Sequence, residues 1–380
     1  MDTMFILILC LMVACSQAGL NDISGRQLRD MLEDEEFVDH ASRVVQAADA
    51  AGYEVAALYG ESLETGEHRR LTKRDIEAHV AHPSTESRNF QLRLTSGERL
   101  HMSLTKRSVL APDLTVVERL QNGTGKSRPQ VRDCFFSGSL ESGHASLSLC
   151  DGKVTGAIHS KDRDIQLHPL PEDVAWNHHD EGDPPLLMLL TWSNVTDDEP
   201  PSPADFIEVQ ENDTKYNSKK PKGKRSVKDK NMTIEVGVYL DRLFIKKVQE
   251  SLGISSNQEL TELIAAKWSG ISGVLNSPSM RQYGWNINIK IVSLEIWRKN
   301  PSWYNDSLRA LGQRLKMVCE NTQRQPFDYV SIETAETDVM KRRGLAYLRT
   351  ICEPRWRCGI TKERADSLCL RSMSWATAWG

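Results

Sequence analysis

Beyond its N-terminus the chain has no apolar run approaching the ~20 residues needed to cross a bilayer. The longest internal candidate, residues 184–192, is too short and reads as a buried strand or a helical turn. Charge of one sign is also scarce: 48 Lys and Arg stand against 52 Asp and Glu, a net charge of −4. That balance argues against nucleic acid or an anionic membrane as the main partner. Disorder throughout is excluded as well, because 39% hydrophobic and 26% charged residues over 380 positions suffice for two or three domains with cores. Cysteine is missing from the whole stretch between residues 151 and 225.

What is present begins with an apolar run at residues 4–14, followed by Ser16 and Ala18 in the small-residue positions of a signal-peptidase site. Residues 1–18 read as a signal peptide, although Asp2 stands where a cation is usual. Five N-x-[ST] sequons, at Asn122, Asn194, Asn212, Asn231 and Asn305, agree with a secretory route. In that compartment cysteines are expected to pair.

Periodicity divides the remainder. Residues 19–88 read as an acidic, helical lead-in, on the helical spacing of apolar residues through position 57. Residues 89–196 alternate apolar and polar positions about glycine-rich turns, first as a hairpin around Ser96, Gly97 and Glu98, and predict a mainly antiparallel β domain. Residues 197–230 are rich in Pro, Asn and Lys and read as an exposed linker. Within it Lys222, Lys224 and Arg225 precede Ser226, a pattern suited to a proprotein convertase cutting after Arg225 and also compatible with a plain solvated charge run. From residue 231 the order is strand 232–241, helix 257–280, strand 285–297, helix 305–321 begun by Asp306 or Ser307, and strand 327–336. Alternation of this kind predicts an α/β layer structure on a largely parallel sheet.

Six segments then carry a resemblance. "LAPDLTVVE", "DCFFSGSLESGHASLSLCDGKVTGAI" and "IQLHPL" resemble the prodomain of reprolysin-type zinc metalloproteases, and "IEVGVYLD" and "WNINIKIVSLEI" resemble that family's first catalytic strands. "GLAYLRTICEPRWRCGI" is similar to the segment preceding the zinc helix, in the form typical of the ADAMTS group. The resemblance spans roughly residues 89–360. It implies a zincin-like (metzincin) α/β catalytic subdomain over 231–360, made as an inactive precursor of an extracellular endopeptidase acting on extracellular proteins. Zinc would be held by H-E-x-x-H-x-x-G-x-x-H, its glutamate activating the bound water. It also implies that Gly344, Leu345 and Ala346 form the strand that pairs with substrate backbone, that Glu235 is a structural calcium ligand, and that Cys319 pairs with Cys358 while Cys352 awaits a partner. The residues leave alternatives: a plain sheet strand for the first, an exposed salt-bridging glutamate for the second. Cys134 and Cys150 either pair with each other or supply a thiol that caps the zinc. Val339 stands where the family has a cysteine.

The histidine motif itself is not in the chain. His178 and His179 in "WNHHDEGD" read as a solvated loop in preference to a metal site. The ending "SMSWATAWG", back-translated with suitable synonymous codons and read one base out of step, spells H-E-L-G-H-G-L-G. The expectation is therefore an out-of-frame tail over 361–380, with zinc ligands and catalytic glutamate absent from the chain as it stands. A non-enzymatic secreted protein, binding and inhibiting a protease through its prodomain, is the alternative.

Overall fold

The computed structural model describes residues 32–194 apart from 49, 64–65, 83–85, 130–132, 142, 161–162 and 171–185, together with 206–207, 230–276, 285–335, 344–347 and 354–362. The signal segment 1–18, the basic site Lys222, Lys224 and Arg225, Asn212, His178, His179, Val339, Cys352 and the tail from 363 onward lie outside the described residues. The chain forms two compact units, residues 1–108 with 132–195 and residues 109–131 with 196–380.

Asp34 opens the first helix by accepting the N–H groups of Glu36 and Phe37 on its carboxylate (2.9 and 3.1 Å). Helix α1 (Glu35–Ala48) then carries Phe37, Ala41 and Val44 on one face. Strands β1 (Gly52–Glu61) and β2 (His68–Arg70) follow, then α2 (Lys73–Ala81). A capping box starts α2: Asp75 Oδ2 accepts the Thr72 N–H at 2.9 Å while Thr72 Oγ1 accepts the Asp75 N–H at 3.3 Å.

Hairpin β3 (Arg88–Leu94) and β4 (Arg99–Lys106) turns at Gly97, whose φ of 91° suits glycine. A second hairpin, β5 (Leu110–Leu120) and β6 (Gly123–Ser127), belongs to the other unit. The first unit resumes with β7 (Phe135–Leu140), β8 (Gly143–Ser148), β9 (Thr155–Ser160), β10 (Arg163–Pro169) and β11 (Leu187–Asn194).

All pairings in this unit are antiparallel, in the order β11-β10-β9-β8-β7-β4-β3-β1-β2, and β1 also pairs with β11. Eight strands therefore close a ring to which β2 is appended, so those strands leave no open edge. Leu58, Phe90, Leu92, Leu104, Phe136 and Leu147 fill its interior, and α1 packs outside against Val55 and Leu189.

This corrects the helical lead-in expected over 19–88. Residues 52–61 are a strand whose burial is continuous rather than alternating, because Ala56 and Leu58 face the ring interior while Val55 faces α1. A strand covered on both faces loses the period-two signal.

The second unit contains β12 (Phe206–Ile207), β13 (Lys230–Leu240), α3 (Arg242–Leu252), α4 (Asn257–Leu275), β14 (Trp285–Trp297), α5 (Leu311–Thr322), β15 (Tyr329–Thr334), β16 (Gly344–Tyr347) and β17 (Cys358–Lys362). Its sheet runs β12-β16-β17-β15-β13-β14-β5-β6. Neighbours from β17 to β5 are parallel, whereas β16 runs against β17 and β6 against β5. Helix α5 packs with Val330 and Ile332 on one face, and Lys267 of α4 reaches Glu333 on the other, which gives the three layers expected for alternating strands and helices.

Two elements differ from expectation. Helix α3 was not foreseen, although Asp241 caps it by accepting the Phe244 N–H (2.8 Å) and Gly253 ends it at φ 70°. Helix α5 starts at Leu311 rather than near Asp306, because Asn305 Oδ1 takes the Ser307 N–H and hydroxyl in a turn of its own (3.0 and 2.7 Å) and Asp306 is held by Arg242 (3.0 Å).

Among the described residues no helix is long and apolar enough to cross a membrane. The Lys267–Glu333 pair lies at 2.6 Å with side chains 5% and 0% exposed, and Glu333 also accepts from the Ser331 hydroxyl at 3.1 Å. Lys267→Met leaves a buried carboxylate without its cation and is expected to cost about 3–5 kcal/mol in a urea titration, most of it returned by the Lys267→Met/Glu333→Leu double variant. Equal losses in the single and double variants would show that the pair does not act as a unit.

Candidate functional site

The residues implied for substrate pairing form β16, a four-residue strand buried throughout. One side of it pairs with β17 through Gly344↔Thr361, Leu345↔Ile360 and Ala346↔Gly359. Its other side pairs in parallel with β12, through Phe206↔Ala346 and Ile207↔Tyr347. The edge expected to receive a substrate backbone thus already carries a strand from the 197–230 linker. Gly359 on β17 leaves the room that the Tyr329 hydroxyl occupies, since a Cβ there would collide with it.

The segment before β17 is fixed on three sides. Cys319 of α5 is bonded to Cys358 at a Cα separation of 5.6 Å, the pairing the resemblance implied. Trp356 packs on Tyr347 with ring centroids 4.6 Å apart, and the Arg355 guanidinium lies 4.8 Å from the Trp356 ring centre. Arg357 Nη2 donates to the carbonyls of Gln323 and Gln325.

Polar groups also collect beyond the carboxyl end of β13. Asp241 Oδ2 accepts from the Tyr304 hydroxyl at 3.1 Å and lies 3.8 Å from Arg314 Nη1, which donates to Thr334 Oγ1 at 2.9 Å. Burial raises the Asp241 carboxyl to about 6, against the Thr334 and Phe244 hydrogen bonds, Arg314 and Tyr304. Both carboxylate oxygens are engaged within the protein, so Asp241 works as a fixed strut between α3 and the Tyr304 segment.

The implied metals were tested against the residues present. All ten histidines lie at or before His179, so residues 180–380 offer no imidazole. No group of three or more His, Cys, Asp or Glu converges among the described residues. The described donor set therefore does not fit zinc bound through imidazoles. For calcium, Glu235 stands beside Asp328: the Glu235 N–H donates to Asp328 Oδ2 and the Asp328 N–H to the Glu235 carbonyl, both at 2.9 Å. Two neighbouring acidic residues fall short of the six or more oxygens calcium takes. The sequence singled out only Glu235. Asp328, the residue before β15, is the partner it missed.

Cys134 and Cys150 are bonded to each other at a Cα separation of 5.2 Å, which decides between the two readings left open for them. Neither is a thiol available to a metal. Among the sequons Asn122, Asn231 and Asn305 are exposed, with Asn122 in the turn between β5 and β6, and Asn194 ends β11.

The described histidines lie in the first unit, and two are held neutral. His79 Nε2 donates to the Glu61 carbonyl at 3.1 Å, leaving Nδ1 to accept from Arg88 Nη1 at 2.6 Å. A second ring proton would point at a guanidinium; burial first, and Arg88 next, hold His79 down to about 4. Burial and the neighbouring His40 hold His168, whose Nε2 meets Thr191 Oγ1 at 3.0 Å, to about 4 as well. Unfolding returns both to the ordinary value near 6.5, so the unfolded chain binds more protons between pH 6.5 and 4 and stability falls as pH falls through that window. Thermal melts of the full chain should show the first unit losing stability between pH 7 and 5, with a flatter profile for His79→Gln/His168→Gln. An unchanged slope in that variant would exclude these two imidazoles as the cause.

Against known proteins, residues 53–141 match the reprolysin family propeptide, a span that opens in β1 and closes just after β7. No curated protein matches the chain with significance. The likeness to a reprolysin-type propeptide is confined to that span, about a quarter of the chain.

Proposed function

We propose that the chain is the precursor form of a secreted, ADAMTS-type zinc metalloendopeptidase directed at extracellular proteins, latent as it stands. The observation that carries the reading is the reprolysin-type propeptide at 53–141 followed in the same chain by an α/β unit. The order of that unit's elements and its Cys319–Cys358 bond agree with a metzincin-like upper subdomain. Latency has two sources. The β16 edge is occupied by Phe206–Ile207, and residues 180–380 contain no histidine with which to hold zinc. Calcium at Glu235 and Asp328 would need further oxygen ligands. Cleavage between the propeptide and the unit that follows falls to a proprotein convertase acting after Arg225, with Lys222 and Lys224 as its recognition residues.

Expression in secretory cells tests this. The chain should leave the cell as a glycoprotein and yield a fragment beginning at Ser226, and Arg225→Ala should abolish that fragment. The cut product should show no chelator-sensitive peptidase activity and less than one zinc per chain by elemental analysis. Chelator-sensitive hydrolysis would overturn the latent reading, and an intact secreted chain that tightly inhibits a protease would favour a binding protein in its place.

A further inference from the structure

The propeptide match runs through residue 141, yet residues 109–131 within it are built into the second unit. Strand β5 lies parallel to β14 with Leu110 opposite Ile291 and then Thr115 to Arg119 opposite Ser293 to Trp297. The register jump between the two stretches falls where Pro112 has no N–H to donate. Beyond the strand register, the Ile291 N–H donates to the Val109 carbonyl at 2.7 Å and the Lys299 N–H to the Arg119 carbonyl at 3.1 Å.

Side chains make this a built interface. Val109, Ala111, Leu114 and Val116 are buried. At the far end two ion pairs cross between the strands, Arg119 to Glu295 at 2.9 Å and Arg298 to Glu118 at 3.0 Å, and Glu295 is further fixed by the Trp297 indole N–H at 3.1 Å. On each side an acid precedes a base, so a slip of one residue sets Glu118 opposite Glu295 in one direction and Arg119 opposite Arg298 in the other. The edge therefore selects an extended segment with alternating apolar residues ending in a Glu-Arg pair.

We propose that the β14 edge is a strand-docking site whose resident is the propeptide ribbon 109–127, and that this ribbon joins the two fragments when the chain is cut in the 197–230 linker. The proposal needs only a cut in that linker, by whatever protease. It is thus independent of convertase recognition at Arg225, and each can fail alone.

The test uses the full chain with a site-specific protease sequence substituted into residues 208–221. The chain is cut and chromatographed at physiological salt, and fragment dissociation is followed on an immobilised C-terminal half. The wild-type fragments should elute together. Glu118→Arg should speed dissociation about tenfold through loss of one ion pair and repulsion from Arg298, and Glu118→Arg/Arg298→Glu should recover most of it. Val116→Asp, which puts a carboxylate at a buried position of the docked strand, should separate the fragments, with circular dichroism of the uncut variant checking its fold. Wild-type fragments that part at once, a Val116→Asp complex as long-lived as wild type, or a charge swap that restores nothing would each overturn the proposal.

Discussion

The hydrogen-bonding edge of β14 is the constraint on which much of this structure turns. Parallel strands are stable when both neighbours and both faces are supplied, and β14 obtains one neighbour, β13, from the chain just before it and the other, β5, from more than 160 residues upstream. Without β5, a strand of buried isoleucines at 287, 289 and 291 would present its amides and carbonyls to water along one side. A segment inside the span similar to a reprolysin propeptide is thus a structural part of the second unit. The same logic acts at the opposite edge, where Phe206–Ile207 from the linker covers β16. Sequence upstream of β13 supplies strands to both ends of this sheet.

How much of this was legible in the sequence follows from where strands are wet. The hairpin of β3 and β4 alternates because one face meets the ring interior while residues such as Arg99 and His101 meet water, and Gly97 marks its turn. Strands β13 and β14 were legible as long β-branched runs between helical segments. Strand β1 was not, since "GYEVAALYGE" is covered inside and outside and contains three residues, two Ala and a Leu, that also suit a helix. The placement of β5 was the least legible, because alternation reports that a strand has one buried face and says nothing about which sheet it joins. The signals that would have found it are the Glu118-Arg119 dipeptide and its counterparts Glu295 and Arg298, which become meaningful only when the strands are set in register.

Ionic groups in the second unit are placed to fix geometry. Lys267 with Glu333, and Asp241 with Arg314 and Tyr304, sit on opposite faces of the sheet near the carboxyl ends of its central strands. Open α/β sheets commonly bind ligands at that end, but here each carboxylate already accepts from protein donors. Buried ion pairs of this type add little net stability over apolar replacements. They penalise any packing that separates the partners, and so tie α4 and α5 to β15 in one arrangement. The disulfide from Cys319 to Cys358 adds a covalent tie from α5 to β17, the strand that pairs with β16.

A sheet extended by a borrowed strand must still end somewhere, and β6 shows how. Its five residues, "GTGKS", are all exposed, two are glycines, and Lys126 projects a charge at the edge. Each feature discourages a further strand from adding, the glycines by the entropy they would lose and the lysine by the desolvation an incoming backbone would impose. Asn122 sits at the exposed turn that leads into this strand, and a glycan on its sequon would stand beside the same edge. The ribbon thus presents a selective face to β14, with apolar residues and two ion pairs, and an unattractive one to everything else. That asymmetry is what a segment needs if it is to complete one sheet without recruiting a second chain.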